Sequence, residues 1–144
     1  MKKNSFSAHF IATTAEAKKI KDGLEKFLLS ADLHQHDNMD VTLVFDEHTT
    51  NTIMHGTGNK KITIEFTISI VNHILTMIII DNGDYFDLNT IPTPDVSQNI
   101  SEGKRGGFGI HLIKSLMNEI AYEHKNNKNI LTMKKYLRSS ESDS

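Results

Sequence analysis

Glu47, Asn51 and His55 stand four residues apart in the segment 46-DEHTTNTIMHG-56. On an α-helix each such step turns the side chain by only about 40°, so all three would line one face. A carboxylate placed there can orient and deprotonate a hydroxyl nucleophile. A neutral amide oxygen is a hard ligand of the kind Mg²⁺ accepts, with water and phosphate completing its shell. The same spacing also describes a polar stripe on a surface helix. A second group follows in 81-DNGD-84. Asn-Gly is a strong turn dipeptide, and a turn is the plain reading. Asp81 would also stand at the mouth of an apolar strand, where a carboxylate can accept from an exocyclic amine and so select adenine. Gly83 would let a flat base approach the backbone.

The third group is 102-EGKRGGFGIHLIKSLMNEI-120. Gly103, Gly106, Gly107 and Gly109 lead into a helix whose inner face carries Leu112, Ile113, Leu116 and Ile120. Backbone N–H groups at such a helix entry attract phosphate, and Lys104 and Arg105 add charge. The run lacks the Gly-Lys-Ser/Thr ending of a P-loop and the preceding strand of a Rossmann turn. Taken alone it is as readily a linker as a cradle.

The elements that must position these groups are legible from periodicity. Phe6, Ala8, Phe10 and Ala12 alternate as a strand. From Thr13 to Ser30 the period becomes helical, with Ile20, Leu24, Phe27 and Leu28 on one face and Thr13 or Thr14 as the cap. Residues 31–40 read as a polar connection, and a second helix is expected from about Met39 to His55, ending at Gly56. Residues 61–70 alternate as a strand, 71–73 reverse the chain, and 74–80 form a second, more buried strand. Residues 81–101 hold both prolines and read as a lid or binding loop. A helix from about Gly107 to Met117 follows, then a hairpin of 119–124 and 130–137. Residues 1–137 are thus expected to form one domain, and 138–144 a disordered tail. Hairpins dominate over βαβ units. The expected class is α+β: a two-layer α/β sandwich, with helices on one face of a mixed, mostly antiparallel sheet.

Composition narrows the partners. The 144-residue chain has a formal net charge of −2 and no cysteine, so neither a nucleic-acid footprint nor a disulfide or thiolate–zinc scaffold is expected. The most apolar stretch is interrupted by Glu65, Asn72 and His73, which favours two strands over a membrane span. No signal peptide is apparent, and the expected location is the cytoplasm. His34 and His36, beside Asp37, read as exposed loop histidines rather than a metal site.

In order and context the three groups resemble the N-box, G1 box and G2 box of the GHKL (Bergerat-fold) ATPases, over roughly Phe6 to Leu137. The likeness is closest to the anti-sigma-factor serine/threonine kinases of bacterial partner-switching systems. Their E-A-x-x-N-A-x-x-H-A pattern resembles Glu47 to Gly56 here, their D-x-G-x-x-F-D resembles Asp81, Gly83, Phe86 and Asp87, and their S-E-G-G-x-G resembles 101–109. His48, Thr49 and Thr52 replace small residues of that pattern. Tyr85 stands where a histidine kinase would carry a second glycine, which argues against that class. The resemblance implies Glu47 as catalytic base, Asn51 as Mg²⁺ ligand and Asp81 as adenine reader. It places Gly83, Phe86, His55 and the loop of Gly103, Gly106, Gly107, Phe108 and Gly109 around ATP, with Arg105 near the phosphates as a second catalytic residue. It also implies a homodimer that phosphorylates a small STAS-type anti-anti-sigma protein and sequesters a sigma factor. A non-catalytic, nucleotide-gated module that regulates a phosphatase or another signalling partner is the alternative.

Overall fold

The computed structural model describes residues 4–55, 61–83 and 112–138. In chain order the elements are β1 (Ser5–Ile11), α1 (Thr14–Ser30), α2 (Gln35–His55), β2 (Thr63–Val71), β3 (Ile74–Asp81), β4 (Glu119–Lys125) and β5 (Lys128–Tyr136). Residues 112–116 are also helical. The strands form one five-stranded sheet in the order β1-β2-β3-β5-β4. Every described strand pair is antiparallel, so no parallel pair among these residues supports the mixed character expected of the sheet.

Two tight turns fix the register of the central strands. Asn72 and His73 join β2 to β3, and Asn126 and Asn127 join β4 to β5. All four residues have positive φ, between 51° and 65°. Two-residue hairpin loops favour this geometry because its twist matches that of the strands, and Asn tolerates it best after Gly. The reversal therefore occupies Asn72 and His73 alone, and Val71 still pairs with Ile74.

Alternation then sorts the sheet into a helix-covered face and an outer face. Ile64, Phe66 and Ile68 of β2, Leu75, Met77 and Ile79 of β3, and Leu131 and Met133 of β5 are buried together. Against them α1 packs Leu24, Phe27 and Leu28, and α2 packs Val41, Val44 and Phe45. Phe45 lies edge-on to Phe66, with ring centroids 5.0 Å apart. Burying each such side chain contributes about 1.5–3 kcal/mol. Gly23 lets α1 approach β1, since a Cβ there would lie 2.9 Å from the Phe6 ring. Thr13 caps α1 by accepting from the Glu16 N–H at 3.2 Å, and Lys21 donates to Asp46 at 2.7 Å to tie α1 to α2.

Helix α2 begins at Gln35, one turn earlier than expected from Met39, because residues 31–40 are not all connection. His34 is buried, not an exposed loop histidine. Its carbonyl accepts from the Asn38 N–H, and its Nδ1 accepts from the His36 N–H at 3.1 Å. The imidazole thus takes the place of a capping side chain. Asp37, in the first turn, is 1% exposed and accepts from the Arg138 backbone N–H at 2.7 Å and from its guanidinium at 3.1 Å. Arg138, expected to open a disordered tail, is therefore bonded to the domain. Lys135 is also buried; it donates to the Leu116 carbonyl at 2.9 Å and pairs with Asp40 at 2.9 Å.

Candidate nucleotide-binding site

The ion pairs at Asp37 set the direction of α2 across the sheet. Lys135 is the register partner of Leu75, so α2 starts over the beginning of β3. Eleven helical residues from Asp37 to His48 cover about 16 Å. Six strand residues from Leu75 to Asp81 cover about 20 Å. The second half of α2 accordingly reaches the end of β3. In agreement, the His48 imidazole feels the charge of the Asp81 carboxylate.

Asp81 continues the alternation of Leu75, Met77 and Ile79 on the helix-covered face, and is only 8% exposed. A buried carboxylate needs donors. Its Oδ1 accepts from the Gly83 N–H at 2.9 Å and from the Asn129 amide at 2.9 Å. The same amide donates to the Gly83 carbonyl at 3.2 Å, and Asn129 Oδ1 meets His124 Nδ1 at 2.8 Å. Both bonds to Asp81 fall on one oxygen, so the carboxylate is oriented while Oδ2 takes none among the described residues. A side chain at Gly83 would bring its Cβ to 3.0 Å from Asp81 Oδ1, so the loop can turn this tightly onto the carboxylate only with glycine.

On α2 the buried stripe runs through Val41, Val44, Phe45, His48 and Thr49. Glu47 and Asn51 flank it, both half-buried and one helical turn apart. Thr49 donates to the Phe45 carbonyl at 2.8 Å and Thr52 to the His48 carbonyl at 3.0 Å, so these hydroxyls are spent on their own helix. Among the described residues, two side chains in this region are not satisfied: His48 Nε2 and Asn51 Nδ2 are buried with no hydrogen-bond partner. Burial holds the His48 imidazole below its ordinary value, against the opposing pull of Asp81.

Among the residues picked out from the sequence, Glu47 and Asn51 lie in the second half of α2, and Asp81 and Gly83 at and just past the end of β3. His55 is the last residue of α2, and its side chain lies outside the described residues. Phe86, Gly103, Arg105, Gly106, Gly107, Phe108 and Gly109 also lie outside them, with Lys104. His48 and Asn129 were not picked out. For His48 the signal was its place on the Val41, Val44, Phe45 stripe, where an apolar residue belongs. For Asn129 it was the alternation with Leu131 and Met133, hidden because the residue sits in a run that reads as turn.

A family model described as histidine kinase-like ATPase domain matches residues 10–135. An anti-sigma F factor of Clostridium kluyveri is 26% identical over 137 residues, which cover 94% of this chain and 96% of that protein. A serine-protein kinase RsbW of Staphylococcus aureus is 30% identical over 108 residues, covering 71% of this chain and 67% of that protein. Among solved structures, the RsbU and RsbW domains of a Mycobacterium tuberculosis protein superpose with a TM-score of 0.66 at 16% identity, over 96% of this chain and 34% of that longer one. Among the described residues, no helix is long and apolar enough to cross a membrane.

Proposed function

The chain belongs to the histidine kinase-like ATPase domain family, and from that premise we propose that it is an ATP-dependent serine/threonine kinase that acts as an anti-sigma factor. The observation that carries the proposal is an anchored, buried Asp81 at the end of β3 together with a buried Asn51 amide nitrogen that has no partner among the described residues. A chain that folds only for its own stability seldom leaves such an amide unsatisfied, at about 1–3 kcal/mol. The donor set suits a nucleotide: an oriented carboxylate for an exocyclic amine, a glycine turn beside it, and a side-chain amide with a carboxylate one turn away.

In this reading Asp81 accepts from the adenine amine, and Asn51 turns its amide oxygen to Mg²⁺. Bound ATP·Mg²⁺ supplies the transferable phosphoryl group and part of the charge neutralisation. Glu47 orients the hydroxyl of a serine or threonine on a small STAS-type partner and takes its proton. Gly103 to Gly109 and Arg105 would surround the phosphates. Phosphoryl transfer depends mainly on positioning and electrostatics, so this short set of groups is adequate. The names of the relatives, anti-sigma F factor and serine-protein kinase, support both halves of the proposal; homodimer formation and a cytoplasmic setting belong to the same reading.

The test is transfer from labelled ATP·Mg²⁺ to a STAS-type protein encoded beside this one. Label on a partner serine or threonine is expected. It should fall about 10²–10⁴-fold in Glu47→Gln, with ATP still bound, and vanish in Asn51→Ala. ATP binding without transfer to any such protein would favour a nucleotide-gated module over a kinase. Absence of ATP binding at millimolar concentration would reject both.

A further inference from the structure

Three residues of α2 carry polar side chains where the resembling pattern has small ones, and they behave differently. Thr49 and Thr52 return their hydroxyls to carbonyls of their own helix. His48 has no such outlet. Its side chain is in the buried stripe, 8% exposed, and its Nε2 is shut off from solvent without a partner. The Asp81 carboxylate, whose Oδ1 is already filled by Gly83 and Asn129, is near enough for its charge to act on the His48 ring.

We propose that His48 is a base-contacting residue, its Nε2–H and the Asp81 carboxylate forming a donor–acceptor pair that selects a 6-aminopurine over a 6-oxopurine. The inference rests on the nucleotide reading above and adds a specificity residue to it. A neutral imidazole carries one N–H, which either ring nitrogen can hold. The edge of adenine offers an amine donor beside a ring-nitrogen acceptor. Asp81 Oδ2 answers the first and His48 Nε2–H the second. Hypoxanthine and guanine present the reverse order, a carbonyl beside an N–H. Against these two residues that order sets oxygen against carboxylate, and it meets the ring N–H only if His48 gives up its Nε2–H for the other tautomer. In a buried site such mismatches are costly, because neither partner has water to turn to. Burial favours the neutral ring that this role needs. Neither bulk water nor a described residue reaches this nitrogen, so a ligand of matching polarity would meet a bond left open.

Calorimetric titration of the whole chain with ADP·Mg²⁺ and IDP·Mg²⁺ tests this. His48→Leu keeps volume and removes the nitrogen. His48→Gln places an amide N–H near the position of Nε2. Wild-type protein should prefer ADP by at least about tenfold. His48→Leu should lose about tenfold in ADP affinity, with IDP little changed, and His48→Gln should recover part of the preference. ADP affinity that is unchanged or improved in His48→Leu, or that falls in step with IDP, overturns the assignment while leaving the nucleotide reading intact. No ADP binding by the wild-type protein overturns both. A melting curve for each variant separates misfolding from lost recognition, and a wild-type protein that binds ADP and IDP equally overturns the assignment without any variant.

Discussion

The two ends of α2 carry similar chemistry to opposite effect. At the start, four charged side chains meet and their charges are answered. Asp37 receives two donors from Arg138, and Lys135 takes Asp40 and the Leu116 carbonyl. Toward the other end, among the described residues, Asp81 is anchored on one oxygen, and His48 and Asn51 hold buried nitrogens with no partner. Among the described residues, Asn38 Oδ1, near the first end, departs from this pattern by also being unpartnered, and the surrounding residues give no reason for it. Buried polar groups that satisfy one another hold elements together. Those left short are open to a partner that the described residues do not supply.

Breaking the closed end should have the largest effect on stability. Asp37→Ala takes the acceptor from both the Arg138 backbone N–H and its guanidinium, and is expected to cost about 3 kcal/mol. Urea denaturation checks this, and nucleotide affinity of the folded protein should be unchanged. At the open end the sign should reverse. Asn51→Leu removes an amide whose nitrogen is unmet, so the unliganded protein should gain up to about 1–3 kcal/mol while losing Mg²⁺-dependent nucleotide binding. Equal losses of stability at both ends would erase the distinction. The smallest effect concerns protons. The folded chain holds His48 neutral below its ordinary value of 6.5, so the unfolded chain binds a proton that the folded one refuses. Stability from this source is complete above pH 6.5 and is lost as pH falls below it. The urea midpoint of His48→Leu should therefore drop less than that of the wild type between pH 7 and pH 5.

The hairpins and the helical stripes were legible because alternation and 3.6-residue periods record which face meets the core. Glu47, Asn51, Asp81 and Gly83 stood out as a candidate set through their order along the chain. The start of α2 was not. Asp37 and Asp40 look like loop residues until Lys135 and Arg138, about a hundred positions later, are brought against them. His48 was read as a departure from a pattern and nothing more, since a sequence does not tell whether a histidine on an apolar stripe has found a partner. Asn129 was hidden for a related reason: its role exists only through the register that sets it opposite Asp81.

The bond between Arg138 and Asp37 has a mechanical consequence. Arg138 lies two residues past the end of β5, yet its backbone is fastened to the first turn of α2. Tension on the C-terminal tail would meet this clip before it reached any rung of the β5 ladder. The load would pass into the helix that carries Glu47 and Asn51, and a partner gripping the tail would hold the far end of the same lever.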